Sequence, residues 1–517
     1  MVVVGVLRSL KYAAGFSVGG GTLTLLHNND WDISTFGVVR FGRTALTVTA
    51  IAADYKLSLR AVREASEEEA AKAYSAVHQR SADRLLSLCC SNGGVFIKVG
   101  QHIGALDYVV PPEYCSTLKV LHSKAPRSSL EDVHRVVKED LGHSAEELFS
   151  EFEETPRGTA SLAQVHKAVL RQTGEVVAVK VQHRRVKKHS LVDMTTMDLL
   201  VRFVAKVFPE FSFMWLAEEM KRNLPCELDF IHEGHNAEKM QRTLSRLPWL
   251  RIPAINWNLT TTRVLTMEFL DGGEVTDKEY VKSQMLNTRV ISERLATLYS
   301  EMIFIEGFVH CDPHPGNILV KKTSSGPEIQ LLDHGLYVTL PEKFRYNYSN
   351  LWISIINADQ SEIKKWAQEL GAGDLFPLLA CILASKPWES LMAGLTKPGR
   401  RLDSRAEKAQ LRKYAVEYFP QIASILARVN REMLLVLKTN DLLRGIEQSL
   451  GTRGERQSLI NMSRYCVRSV YDRQIEKGTN IVTRMRCRFR KHWILTKLSL
   501  YQFYLWLYYS LKGPAYR

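Results

Sequence analysis

The chain has no acidic residue after Glu476 and none before Asp30. Residues 477–517 instead carry Lys477, Arg484, Arg486, Arg488, Arg490, Lys491, Lys497, Lys512 and Arg517. Residues 1–29 carry Arg8 and Lys11. Of the net +14, nine charges sit in the C-terminal segment and two in the N-terminal one, which leaves residues 30–476 at +3. A basic surface suits an anionic partner, whether nucleic acid, a phosphate-bearing ligand or an acidic membrane. Here the excess belongs to the two ends. Cysteine is sparse: eight in 517 residues, with no Cys-x-x-Cys pair. That argues against a zinc cluster and a disulfide framework, and reads as thiols in a reducing compartment. Long apolar runs are short as well. Residues 12–29 are uncharged but broken by glycines, and the uncharged stretch 498–511 is brief for a spanning helix. Hydrophobic content of 45% and charged content of 24% exclude a disordered or fibrous chain.

The N-terminus, apolar and acid-free with Arg8 and Lys11 interrupting it, fits a mitochondrial leader better than a secretory signal. Residues 31–60 mix apolar residues with spaced Arg40, Arg43, Lys56 and Arg60. Ser66 and Glu69 form a capping box for a helix to about Cys90. After Gly93-Gly94 a second helix runs from Val95 to about Leu106, and another from Ser129 to Leu141 ends at Gly142. The pattern changes near Pro156. Ser161–Val169 and Glu175–Gln182 read as strands around a Gln172-Thr173-Gly174 turn. Helix returns over 190–245, Arg263–Phe269 is a strand, and the rest is mainly helical apart from loops at 307–317 and strands around 318–339. This order predicts an α+β, two-lobed fold. The divisions are a leader at 1–30, a helical extension at 31–150, a smaller lobe with a helical insert at 151–273, a helical lobe at 274–475 and a basic aromatic tail at 476–517.

Three motifs carry chemistry. His310-Cys311-Asp312-Pro313-His314-Pro315-Gly316-Asn317 places an Asn five residues after an Asp. That spacing matches the catalytic loop of protein kinases, where the carboxylate faces the acceptor hydroxyl and the amide binds Mg²⁺. Leu331-Leu332-Asp333-His334-Gly335 follows a strand and matches the second metal motif, with Asp333 on Mg²⁺. Val177-Ala178-Val179-Lys180 resembles the strand whose lysine contacts nucleotide phosphates. A lysine within an apolar strand requires an acid. Glu227, in Glu227-Leu228-Asp229, is the candidate. Where a kinase has its glycine-rich loop, this chain has Gly158-Thr159-Ala160-Ser161, and alanine stiffens the backbone.

Lys98-Val99-Gly100-Gln101, on a helix outside this core, completes a pattern. Together with Ala160-Ser161, Glu227-x-Asp229 and Asp312-Pro-His-Pro-Gly-Asn317, the chain resembles the aarF-domain-containing (UbiB-type) atypical kinases over residues 35–450. It is similar in particular to their mitochondrial branch. The resemblance implies a kinase-like fold with the Lys98 helix lying over the site. Lys98 and Gln101 would guard it, and Asp229 would help anchor their helix. Ala160 and Ser161 would lie over the nucleotide. Lys180 would contact phosphate and pair with Glu227. Glu268 would sit at the hinge beside the adenine. Asp312 would be catalytic, with Asn317 and Asp333 on Mg²⁺. ATP and Mg²⁺ are the implied cofactors.

Two departures stand out. His334 replaces the usual Phe, so the switch that this Phe sets should differ. Cys311 replaces the Arg before the catalytic Asp, which removes the usual partner of an activation-loop phosphate. The resemblance also implies lipid-linked ATPase or small-molecule kinase activity, with roles in mitochondrial lipid balance and inner-membrane (cristae) organisation. The expected partners are an anionic membrane lipid or lipid-like small molecule and mitochondrial inner-membrane proteins. A catalytically dispensable scaffold is the alternative reading, and an ordinary Ser/Thr protein kinase a third. In the tail, arginines alternate with Met485, Cys487 and Phe489, and Trp493, Tyr501, Phe503, Tyr504, Trp506, Tyr508 and Tyr509 follow. Such a segment suits an anionic membrane surface, packing on the core, or single-stranded nucleic acid, with the membrane favoured.

Overall fold

The computed structural model describes residues 36–61, 66–104, 110–122, 127–208, 214–393, 421, 422, 425, 428–452 and 456–512. The expected leader lies outside them.

The extension opens with α1 (Gly37–Ala61), α2 (Glu67–Asn92) and α3 (Val95–Gly104). Ser66 and Glu69 close the predicted capping box on α2. α3 keeps its predicted start, and residues 105–109, where its end was expected, are outside the described set. Leu88, Cys89, Phe96, Ile97, Leu118 and Leu121 form a small core that seats α3 on α2 and on α4 (Pro112–Leu118).

The smaller lobe is an antiparallel sheet. Its strands are β1 (Phe149–Phe152), β2 (Gly158–Thr159), β3 (Ala163–Leu170), β4 (Val176–Gln182) and β6 (Val264–Glu268), in the order β1-β3-β4-β6 with β2 beside β3. The Val-rich β4 is buried from Val177 onward, as its β-branched run demands. One face packs against α5 (Leu130–Leu141) through Val133, Val136, Val137, Val177, Val179 and Val181. So a helix that the sequence reading assigned to the extension covers this lobe, and β1 straddles the expected boundary at 150. β3 starts two residues later than expected. The Ala160 N–H donates to Ala163 O at 2.8 Å, which closes a tight loop over Ser161 and Leu162.

Between β4 and β6 the chain inserts α7 (Val186–Val207), α8 (Met214–Glu227) and α9 (Phe230–Thr243), one short turn, α6 (Ala145–Leu148), having preceded β1. A buried bidentate pair, with Arg40 Nε at 2.7 Å from Asp193, ties α1 to α7. β6 leads across to the second lobe through Gly272 and Gly273. A Cβ on Gly273 would lie 2.2 Å from the Tyr280 ring, so the crossing accepts no side chain there.

The larger lobe holds one extensive core that spans α11 (Thr288–Ser300) and α12 (Glu342–Asn357). After α11 a π-helical turn, Glu301–Glu306, ends at Gly307, whose φ of 70° is the left-handed conformation that glycine accepts at a helix stop. The expected loop at 307–317 contains a short strand, β8 (Phe308–His310), paired with β11 (Tyr337–Thr339). β9 (Ile318–Thr323) and β10 (Gly326–Leu331) form the expected hairpin, in a four-stranded sheet with β5 (Leu250–Arg251) and β7 (Gly273–Glu274). Both catalytic motifs therefore sit at strand ends, 308–310 leading into Asp312 and 326–331 into Asp333.

The short helices α10 (Lys278–Ser283), α13 (Gln360–Glu369), α14 (Phe376–Ala384) and α15 (Trp388–Met392) complete this lobe. Among the described residues three helices follow: α16 (Arg431–Ser449), α17 (Arg456–Lys477) and α18 (Ile481–Lys512). Among the described residues no helix is long and apolar enough to cross a membrane.

Candidate active site

β4 places Lys180 inside the lobe interface, 8% exposed. Its Nζ donates to Glu233 at 2.6 Å and to Asp333 at 2.8 Å. The Phe230 ring lies 5.2 Å beneath the ammonium. Burial works against the charge, but Asp333 and Glu233 outweigh it and hold the ammonium above the ordinary lysine range. On Asp333 burial pushes upward, but Lys180 and the Gly335 N–H, at 2.9 Å, hold the carboxyl well below its usual range. Asp333 is thus held as an anion. On Glu233 burial dominates and raises the carboxyl to about 7.

The predicted partner is corrected here: Glu227 does not pair with Lys180. Its carboxylate is 2.8 Å from Lys98 Nζ. The reason is the break between α8 and α9. Asp229 caps α9, accepting from the Ile231 N–H at 3.1 Å, and one turn later α9 presents Glu233 to Lys180. Asp229 therefore positions the Glu233 helix, and the anchor of α3 is Glu227 rather than Asp229.

α3 lies over the catalytic loop as the resemblance implied. Lys98 Nζ also reaches Asp312 at 3.5 Å. Gly100 is required by close packing, since a Cβ there would meet Leu121 Cδ1 at 2.3 Å and Cys89 Sγ at 3.1 Å. Gln101 donates to Leu121 O at 3.0 Å, so it fixes α3 to the turn after α4.

Asp312 receives a second cation that the sequence reading missed. Lys438, on α16, donates to its other oxygen at 2.9 Å. Burial favours the protonated acid, but Lys438 and Lys98 outweigh it and hold Asp312 well below the carboxylate range. Asn317 Nδ2 donates to Asp312 O at 3.2 Å, which closes the catalytic loop on itself. Asn317 and Asp333 offer hard oxygen donors of the kind Mg²⁺ takes alongside nucleotide phosphates. No cage of three His, Cys, Asp or Glu residues occurs among the described residues. A phosphate-bridged Mg²⁺ needs only one or two protein oxygens, so the donor set fits.

The Ala160-Ser161 loop is fastened rather than free. His183 donates from Nε2 to Ala160 O at 3.1 Å, and Ser161 is buried. Glu268 ends β6 beside the lobe crossing. Its carboxylate takes Arg251 and, at 3.3 Å, the Ala254 N–H. His334 is buried and neutral. Burial lowers its imidazole to about 3. Nε2 donates to Leu331 O at 3.1 Å, Nδ1 accepts from the Tyr337 hydroxyl at 2.8 Å, and the two rings stack. This replaces an apolar Phe plug with a hydrogen-bonded one. Cys311 is fully buried, its thiol raised by burial to about 12. It supplies no cation to the loop.

The ABC1 atypical kinase-like domain is matched over residues 120–367. AarF domain-containing protein kinase 1 of Xenopus tropicalis is 50% identical over 99% of this chain and 97% of its own length. AarF domain-containing kinase 1 of Drosophila melanogaster is 47% identical, covering 96% of this chain and 97% of its own. A putative ABC1 protein of Arabidopsis thaliana is 36% identical, over 91% and 90%.

Proposed function

The chain belongs to the ABC1/AarF family of atypical kinases, and from that premise we propose that it binds and turns over Mg·ATP at a mitochondrial inner-membrane surface. The observation that carries the nucleotide site is Lys180 held between Glu233 and Asp333. Lys180 would engage phosphate, and Asp333, its present partner, would then be available as a metal ligand. Asn317 and Asp333 would hold Mg²⁺, which would supply charge neutralisation at the phosphates. Ala160 and Ser161 cover the nucleotide and Glu268 marks the adenine end. Asp312 orients the acceptor, a hydroxyl or a water, once Lys98 has withdrawn. The products are then ADP and a phosphorylated small molecule where the acceptor is a hydroxyl, or ADP and phosphate where it is water.

The membrane side of the proposal rests on α18. One face packs on α17, where Arg464 donates to Gln502 at 2.7 Å. The other face leaves Val482, Met485, Phe489, Trp493, Leu500, Phe503 and Leu507 exposed at spacings of three, four and seven residues, beside Arg486, Arg490 and Lys497. An apolar stripe flanked by cations lies in the plane of an anionic bilayer surface. We assign the partner to anionic lipid on this basis, and the role to mitochondrial lipid homeostasis and inner-membrane (cristae) organisation by family.

The test is ATP turnover by the purified protein with and without anionic liposomes, in wild type and Asp333→Asn. Liposome-stimulated turnover lost in the variant supports the proposal; equal turnover in both contradicts it. One observation favours the scaffold reading: Asp312 is held by two lysines at the place an acceptor needs. That reading predicts that Lys180→Ala still rescues the mitochondrial morphology of a knockout.

A further inference from the structure

The catalytic loop contains no lysine or arginine. Between Asp312 and Asn317 stand Pro313, His314, Pro315 and Gly316, and Cys311 precedes them. Phosphoryl transfer spreads charge over the equatorial oxygens of the transferred group, and cations aimed at it from the protein stabilise that charge. The loop itself provides none at the acceptor end.

The structure provides one from elsewhere. Leu434-Leu435-Val436-Leu437-Lys438-Thr439 is an apolar run with a single cation, and Lys438 is 9% exposed. Its Nζ sits 2.9 Å from Asp312 Oδ1, from a helix that begins well over a hundred residues downstream of the loop. α16 is pinned at its start. Arg431 donates to Glu219 at 2.8 Å and to Asn223 at 2.7 Å, both on α8, whose last residue is Glu227. The helix that delivers Lys438 is thereby clamped to the helix that holds Lys98. Lys98 already satisfies Glu227 at 2.8 Å and reaches Asp312 only at 3.5 Å. When α3 moves aside with its lysine, Lys438 is the ammonium that stays at Asp312.

We propose that Lys438 faces the terminal phosphate of the bound nucleotide, so that α16 supplies the cation the catalytic loop lacks. The inference rests on the nucleotide-site reading above. It predicts that Lys438 distinguishes a triphosphate from a diphosphate, whereas a lysine that only neutralises Asp312 would not.

The experiment is calorimetric titration of the full-length protein with Mg·ATP and Mg·ADP. The proteins are wild type, Lys438→Met, Lys438→Arg and, as a background without an orphaned carboxylate, Asp312→Asn with and without Lys438→Met. Loss of one charge-assisted contact lowers affinity about tenfold. Wild type is expected to prefer ATP over ADP. Lys438→Met loses that preference through ATP alone and Lys438→Arg regains part of it. If Lys438→Met is unfolded, the same comparison is made between the two Asp312→Asn proteins. An unchanged ATP-to-ADP ratio, an equal loss of both ligands, or a wild type without preference overturns the inference while leaving the nucleotide site standing. A wild type that binds neither nucleotide overturns both.

Discussion

Lys98 Nζ lies 2.8 Å from the Glu227 carboxylate and 3.5 Å from Asp312, so one buried ammonium joins the gate helix to the insert and to the catalytic loop. Removing one partner of a buried pair leaves the other uncompensated and costs about 3 kcal/mol or more. Lys98→Met is expected to lower stability by that amount. Lys98→Met combined with Glu227→Gln is expected to recover at least ~1 kcal/mol of it, as contacting residues do in double-mutant cycles. Denaturant unfolding of the four proteins checks this. Additive losses would mean that the pair does not couple.

Glu233, not Glu227, is the acid paired with Lys180. Glu233→Gln should therefore weaken Mg·ATP binding about tenfold, the effect of losing one charged contact, whereas Glu227→Gln changes it less than about threefold. Titration of both variants with Mg·ATP distinguishes them. The reverse order would restore Glu227 as the partner of Lys180.

His334 is expected to resist conversion to phenylalanine, the residue usual at its position. The larger ring overpacks the site at a cost of about 1–3 kcal/mol. It also strands the Tyr337 hydroxyl, which now donates to Nδ1 at 2.8 Å, and an unpaired buried hydroxyl costs about 1–3 kcal/mol more. His334→Phe with Tyr337→Phe should recover the second part. Melting temperatures of the single and double variants test this, and a stabilised His334→Phe would contradict it.

The exposed stripe of α18 predicts salt-sensitive binding to anionic vesicles. Replacing Arg486, Arg490 and Lys497 by Gln removes three surface charges, each worth about 1 kcal/mol near an anionic bilayer. Co-flotation with phosphatidylserine vesicles should fall by more than tenfold. Undiminished flotation would assign binding to another surface.

Much of this was legible in the residues. The capping box at Ser66, the stop at Gly307 and the strand that carries Lys180 are local signals, and each of these elements forms. The α+β, two-lobed kinase-like fold followed from them. What failed was long-range choice between similar partners. Glu227 and Glu233 are both acids near a helix junction, and only the cap at Asp229 decides which one meets Lys180. Lys438 carried a signal that was available: a lone lysine in an apolar run, the same feature that singled out Lys180. Its partner was not readable, because nothing local connects α16 to Asp312. The tail offered a choice between packing and a membrane surface, and α18 packs with one face while exposing another.

The most direct test of the central claim is the Mg²⁺ dependence of ATP binding in wild type and Asp333→Asn, measured by calorimetry. Wild type is expected to bind ATP at least about tenfold more tightly with Mg²⁺ than without it, and Asp333→Asn to lose that difference. Identical Mg²⁺ dependence in the two proteins, or no binding by wild type, would contradict the account.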